Sequence, residues 1–237
     1  MAMKIITEET GKMKFVTDMN ISLANAIRRS VNEISILAIS EADIYKNDSA
    51  LYDEVIAHRL GLIPLKNQKL KEGQSIEMKL KTKGKKEGTE VLSGELGSEV
   101  IYEDMPIVLL EEGQEIELVA RATTGKGKDH ARFVPGLVFY GQMPAITISK
   151  EGEGQKELAK LYPKVFKLEG DKLKVNDASE CELDQEDMKN FPGVEIKFGD
   201  ELLFSIESWG QIEAKDIFIE AAKALKANLS EVSKVLK

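Results

Sequence analysis

NISLANAIRRSVNEISILAIS, residues 20–40, changes its period halfway along. Up to Ile34 its inward positions, Leu23, Ile27, Ser30, Val31 and Ile34, recur at helical spacing, with Asn20 or Ser22 available as N-cap. From Ile36 to Tyr45 the pattern alternates, as in a strand leaving that helix. Upstream, KIITEE and KMKFVTD read as two short strands joined around Gly11. At the other end VEIKF and LLFSIESW read as two strands before a long helix over 213–236. Ile217, Phe218, Ala221, Ala224, Leu225, Leu229, Val232 and Leu236 form one broad stripe on that helix. The two ends share a style that the middle lacks. This predicts an α+β domain made from both termini, with a second module inserted between them.

The middle begins with DSALYDEVIAHRLGLIPL, where Leu51, Val55, Leu60 and Ile63 predict a short amphipathic helix around 50–60, stopped by Gly61 and Pro64. From 66 to about 150 short β-like runs follow (SIEMKLKT, TEVLSGEL, QEIELVARATT, GLVFYG, AITIS), separated by Gly- and Lys-rich turns. They predict an antiparallel, β-rich module. Residues 151–195 are polar and rich in glycine and acid.

The chain has 237 residues, 42% apolar and 31% charged, enough to bury a core under a heavily charged surface. Its net charge of −8, with lysine and arginine scattered among more numerous acids, argues against nucleic-acid binding by the isolated chain. The apolar runs, PIVLL at 106–110 and ELVA at 117–120, are far too short for a membrane span. MAMKIITEETGK has no apolar stretch of signal-peptide length, so a cytoplasmic protein is expected. A single cysteine leaves no intrachain disulfide.

Catalytic chemistry has little to work with. His58 and His130 stand in no metal or triad spacing, and the many carboxylates show no pairing. TTGKGKDHARF, 123–133, could present backbone N–H groups and two lysines to an anion after a strand, yet it fits neither the Walker A nor the G-x-G-x-x-G spacing. A solvated loop or a partner contact is the reading to prefer. Arg28 and Arg29 point to different sides of the first helix, one to complete an ion pair and the other to meet a partner or solvent. The apolar stripes of both helices are covered either by a second subunit or by the inserted module, and the spacing leaves both open. Each such side chain, once buried, contributes roughly 1.5–3 kcal/mol.

CELDQEDMKNFP, 181–192, holds the lone cysteine. Cys181, Asp184, Asp187 and Phe191, followed by Pro192, keep the offsets of a C-x2-C-x2-C-x3-C-P iron–sulfur run with three ligand positions overwritten. Spacing alone favours an acidic loop with a stray cysteine over a lost cluster.

SLANAIRRSV, DSALYDEVIAHRLGLIPL, TGKGKDHARFVPGLVFY and FSIESWGQIEAKDIFIEAAKAL together resemble the D-type, alpha-like subunit family of archaeal DNA-directed RNA polymerase, counterpart of the bacterial alpha subunit's N-terminal domain. The resemblance covers nearly the whole chain. It implies an alpha-subunit-like dimerisation domain, 1–40 plus 196–237, interrupted by a β-rich insert domain, 41–160, with a degenerate ferredoxin-like segment at 161–195. It implies a non-catalytic assembly subunit that pairs with the small alpha-like subunit L and forms a platform for subunits N and P and the large subunits. Leu23, Asn25, Ile27, Arg28, Arg29, Val31, Ile34, Phe218, Ala221, Leu225, Leu229 and Val232 are then the expected partner interface, with Asn25, Arg28 and Arg29 in the family's NA[LI]RR motif. TGKGKDHARF becomes structural and contact surface. The departure lies in the cluster segment. Many relatives carry clustered cysteines there, whereas Cys181 stands with Asp184, Asp187 and Phe191, and Tyr162 precedes Pro163 where another cysteine-proline belongs. One thiolate cannot hold a cubane cluster, so no cofactor is expected and the iron–sulfur cluster is read as lost.

Overall fold

A computed structural model of the chain describes residues 2–68, 70–71 and 73–236. Strands β1 (Met3–Glu9) and β2 (Lys12–Thr17) form an antiparallel hairpin, and Gly11 supplies the positive φ of its turn, 81°. Asn20 then caps helix α1 (Ile21–Ser30): its Oδ1 accepts from Ser22 N–H at 2.8 Å and its carbonyl from Ala24 N–H at 3.0 Å. The α-helix ends earlier than the helical spacing up to Ile34 predicts. Ser30 Oγ donates back to the Ala26 carbonyl at 2.8 Å, and the last turn tightens into a 3-10 segment, Val31–Glu33.

Strand β3 (Ser35–Asn47) follows, then helix α2 (Asp53–Gly61), strands β4 (Ile76–Lys83), β5 (Thr89–Leu92) and β6 (Pro106–Leu110), and strand β7 (Glu115–Lys126). Alternation along β7 sends Ile116, Leu118, Ala120 and Ala122 to one buried face. The strand sits centrally in the antiparallel order β3-β7-β4, with Ile39 opposite Ala122 and Leu80 opposite Leu118. Ile56, Leu60, Leu65, Ile107 and Leu110 close the core against that sheet, to which β3 adds Leu37. The β5–β6 pair forms a separate two-stranded ribbon.

Strand β8 (Gly136–Ile148) absorbs both GLVFYG and AITIS, which read as separate runs in the sequence. Pro144 does not break it, because β8 ends the order β1-β2-β11-β8 and an edge strand can spare one N–H. Likewise VEIKF and LLFSIESW fuse into strand β11 (Val194–Ser208): Gly199 adopts no left-handed φ, so the apparent Gly-Asp turn is never made. Between β8 and β11 lie helix α3 (Lys156–Leu161) and the hairpin of strands β9 (Phe166–Glu169) and β10 (Lys172–Val175). Helix α4 (Ala214–Val235) ends the described chain.

Packing divides the chain into residues 1–24 with 138–205, and residues 25–137 with 206–237. Its lines differ from those of the three-part division above: α4 goes with the β3-β7-β4 sheet, and 161–195 lies within the first unit. In the first unit the Phe204 ring stacks on Phe15 at 5.3 Å and on Tyr140 at 5.6 Å.

Candidate functional site

On α1, Ile27 is buried, as are Val31 and Ile34 just beyond it, while Leu23 and Arg29 are exposed. Arg28 is half-buried, and its Nε and Nη2 donate to Asn25 Oδ1 at 3.2 and 2.9 Å, which fixes the pair on the helix surface. Arg29 has no ion-pair partner among the described residues.

The stripe on α4 splits along its length. Ala214, Ile217 and Ala221 are buried within the chain, Phe218, Ala224 and Leu225 are half-buried, and from there the apolar side chains lie in the open. Leu229 is 62% and Val232 57% exposed, with Val235 and Leu236 beyond them. The first half of the helix serves the core, and the second half presents an apolar face that nothing in the described chain covers.

TGKGKDHARF is occupied by its own chain. Lys126 and Lys128 both place their ammonium groups on Glu33 Oε2, at 3.3 and 3.1 Å. The hydrogen bond from Lys128 and then that from Lys126 hold the Glu33 carboxyl below the usual carboxylate range, against the opposing effect of its desolvation. The two glycines serve packing: a Cβ on Gly125 would lie 2.6 Å from the Phe133 ring, and one on Gly127 would lie 2.9 Å from Val134. His130 Nδ1 accepts from the Arg132 N–H at 3.2 Å and so caps the short turn Ala131–Phe133. With both lysines drawn onto one carboxylate of their own chain and both glycines packed against side chains, this loop is not built as a phosphate cradle. His58 stands exposed on α2. Sequence reasoning passed over Glu33, whose role depends on a pairing across 93 residues.

Glu33 sets a pH dependence. Its pKa is lower folded than unfolded, so its contribution is present above the unfolded value and lost as pH falls through the folded one. Glu33→Gln is expected to cost about 1 kcal/mol at neutral pH, the scale of a half-exposed ion pair. The gap from wild type should narrow and close as pH falls below the ordinary carboxylate range and through the lowered value of Glu33. Urea denaturation of both proteins across a series of falling pH values checks this.

The remnant cluster positions are held by other interactions. Cys181 is half-buried, its thiol donates weakly to the Leu183 carbonyl at 3.8 Å, and burial pushes its pKa up. Asp184 Oδ1 accepts from the N–H groups of Glu186 (2.6 Å) and Asp187 (3.1 Å), and Asp187 Oδ2 accepts from Asp184 N–H (2.9 Å). Cys181, Phe191 and Tyr162 all pack on one apolar cluster formed by Leu158, Val165, Phe166, Leu173, Met188, Val194 and Ile196. A protonated thiol, two carboxylates committed to a turn and a phenyl ring do not fit an iron–sulfur cubane. Among the described residues no group of three or more His, Cys, Asp or Glu side chains is placed to hold a metal ion.

No described helix is long and apolar enough to cross a membrane. Residues 38–134 match the family described as the RNA polymerase Rpb3/RpoA insert domain, so the β3-β7-β4 module is of the alpha-subunit type found in RNA polymerases. The chain is 36% identical over 176 residues to DNA-directed RNA polymerase subunit Rpo3 of Pyrococcus horikoshii, covering 68% of this chain and 67% of that one. It is 31% identical over 251 residues to Rpo3 of Methanothermobacter thermautotrophicus, covering 94% of each, and 28% identical over 255 residues to Rpo3 of Archaeoglobus fulgidus, covering 98% and 97%. The chain belongs to the archaeal Rpo3 family, the D-type, alpha-like subunits of DNA-directed RNA polymerase.

Proposed function

We propose that this chain is a non-catalytic assembly subunit of a cytoplasmic DNA-directed RNA polymerase. It pairs with the small alpha-like subunit L, and the heterodimer is the platform for subunits N and P and the large subunits. The functional division is the pairing domain of 1–40 with 196–237, the insert of 41–160 and the metal-free segment of 161–195. The observation that carries the reading is the open apolar face of α4. Half-buried Leu225 leads into exposed Leu229, Val232 and, at the helix end, Leu236, at three- and four-residue spacing over three turns, more apolar surface than an isolated helix end keeps in water. Leu23, Asn25, Arg28 and Arg29 supply the surface of α1 for another polymerase subunit, while Ile27, Val31, Ile34 and Ala221 support these faces from within the core.

Light scattering on the chain alone and co-expressed with a small alpha-like subunit tests the reading. A stable one-to-one complex is expected. Two alternatives give different results: an alpha-like homodimer would show twice the chain mass alone, and a monomer indifferent to the partner would remove the assembly role. In the same preparation, iron and sulfide analysis tests the lost cluster, and a stoichiometric cluster would refute it.

A further inference from the structure

Within the second unit a cavity of about 420 Å³ opens between the end of α2 and the loop that follows β11, lined by Leu62, Tyr102, Met105, Arg132, Trp209 and Gln211 among others. That loop is held in place. Trp209 N–H donates to the Pro135 carbonyl at 3.0 Å, Gly210 N–H donates to Ser208 Oγ at 2.9 Å, and Ser208 Oγ donates to the Ile212 carbonyl. Gly210, at φ 99°, lies where a Cβ would meet the Tyr102 hydroxyl at 2.9 Å, so Tyr102 and Trp209 form one wall.

Two polar groups on this lining are left incomplete. Gln211 Oε1 is buried and accepts no hydrogen bond from the described residues. Arg132 Nη1 uses both its hydrogens, on the Ile39 and Ser40 carbonyls at 3.0 and 2.9 Å, and Nε donates to His130 Nδ1 at 3.1 Å. A histidine accepting at Nδ1 carries its proton on Nε2, so Arg132 Nη2, 3.5 Å from that nitrogen, has no acceptor there. Arg132 also has no carboxylate partner among the described residues. The cavity therefore offers a guanidinium with free donors beside aromatic and aliphatic walls. Large apolar side chains extend onto its rim, where Leu62 is 54% and Trp209 42% exposed.

We propose that this cavity docks an acidic–apolar peptide segment of another polymerase subunit. An Asp or Glu carboxylate of the partner lies on Arg132, and the adjacent apolar side chain sits against Trp209, Tyr102 and Met105. The inference rests on the polymerase-subunit reading and extends it to a second contact, away from α4. Charge complementarity selects the occupant: a lone cation with unfilled N–H donors beside an apolar wall matches a carboxylate next to an apolar side chain.

Trp209 is the only tryptophan of the chain, so its emission reports on the cavity. The dipeptide Ac-Leu-Asp-NH2 titrated into the full chain is expected to change that emission saturably, at roughly the millimolar Kd of so small a ligand. Ac-Leu-Asn-NH2 should bind about tenfold more weakly for want of the charge. Leu62 is exposed, so its replacements leave the fold intact. Leu62→Glu should weaken the Asp peptide severalfold and Leu62→Lys should not. Equal binding of the two peptides, or indifference to the sign of charge at residue 62, overturns the site. Hydroxyl-radical footprinting then identifies the occupant: Tyr102 and Trp209 should be protected in the assembled polymerase relative to the isolated chain. An enzyme that assembles with both side chains unprotected overturns the docking proposal and leaves the assembly role standing.

Discussion

Leu229→Asp combined with Val232→Asp is expected to abolish pairing with the small alpha-like subunit while leaving the chain folded. Both side chains lie mostly in solvent, 62% and 57% exposed, so a carboxylate at either position costs the isolated chain little. Against an apolar partner face each carboxylate must be stripped of water without a counter-charge, at about 3 kcal/mol or more. Two of them weaken association by about four orders of magnitude. The control is Ile27→Asp. Ile27 is buried in the chain, so its loss should show as unfolding by circular dichroism and not as a clean pairing defect. Co-purification of the double variant with subunit L, at wild-type yield, would show that the outer half of α4 is not the interface.

That contrast also marks how far the sequence could be read. Asn20 as a cap, the alternation along QEIELVARATT and the bounds of the last helix depend on neighbours in the chain, and all three are legible in it. Apolar spacing on a helix, however, gives the direction of a stripe and not what covers it. Ile217 and Leu229 look alike in sequence, yet one is fully buried and the other open. The same limit explains the fused strands. Pro144 and Gly199 are turn signals only when the chain is free to turn, and pairing along β8 and β11 keeps it extended. For TGKGKDHARF the glycines and lysines are visible, but Phe133 and Val134, which pack against the glycines, and Glu33, which pairs with both lysines, acquire those roles only through tertiary contact.

Phe166→Ala is expected to destabilise the 161–195 segment by about 3–5 kcal/mol, the cost of removing a buried aromatic ring. Phe166 is 1% exposed and packs in the cluster that also takes in Cys181, Phe191 and Tyr162. If that apolar cluster now holds the segment, its stability depends on volume and not on a metal. Cys181→Ser should then cost only about 1 kcal/mol, since the thiol makes one weak hydrogen bond and burial keeps it protonated. Chelators should change nothing. A cluster-dependent segment would behave the opposite way, losing protection with Cys181→Ser or chelator about as completely as with Phe166→Ala. Hydrogen exchange of the backbone between Leu158 and Ile196 separates the two cases. Protection that survives Cys181→Ser and chelator but collapses with Phe166→Ala means that packing, with the Asp184–Asp187 turn closing the loop, does the work that thiolate ligation does in a cluster-bearing segment.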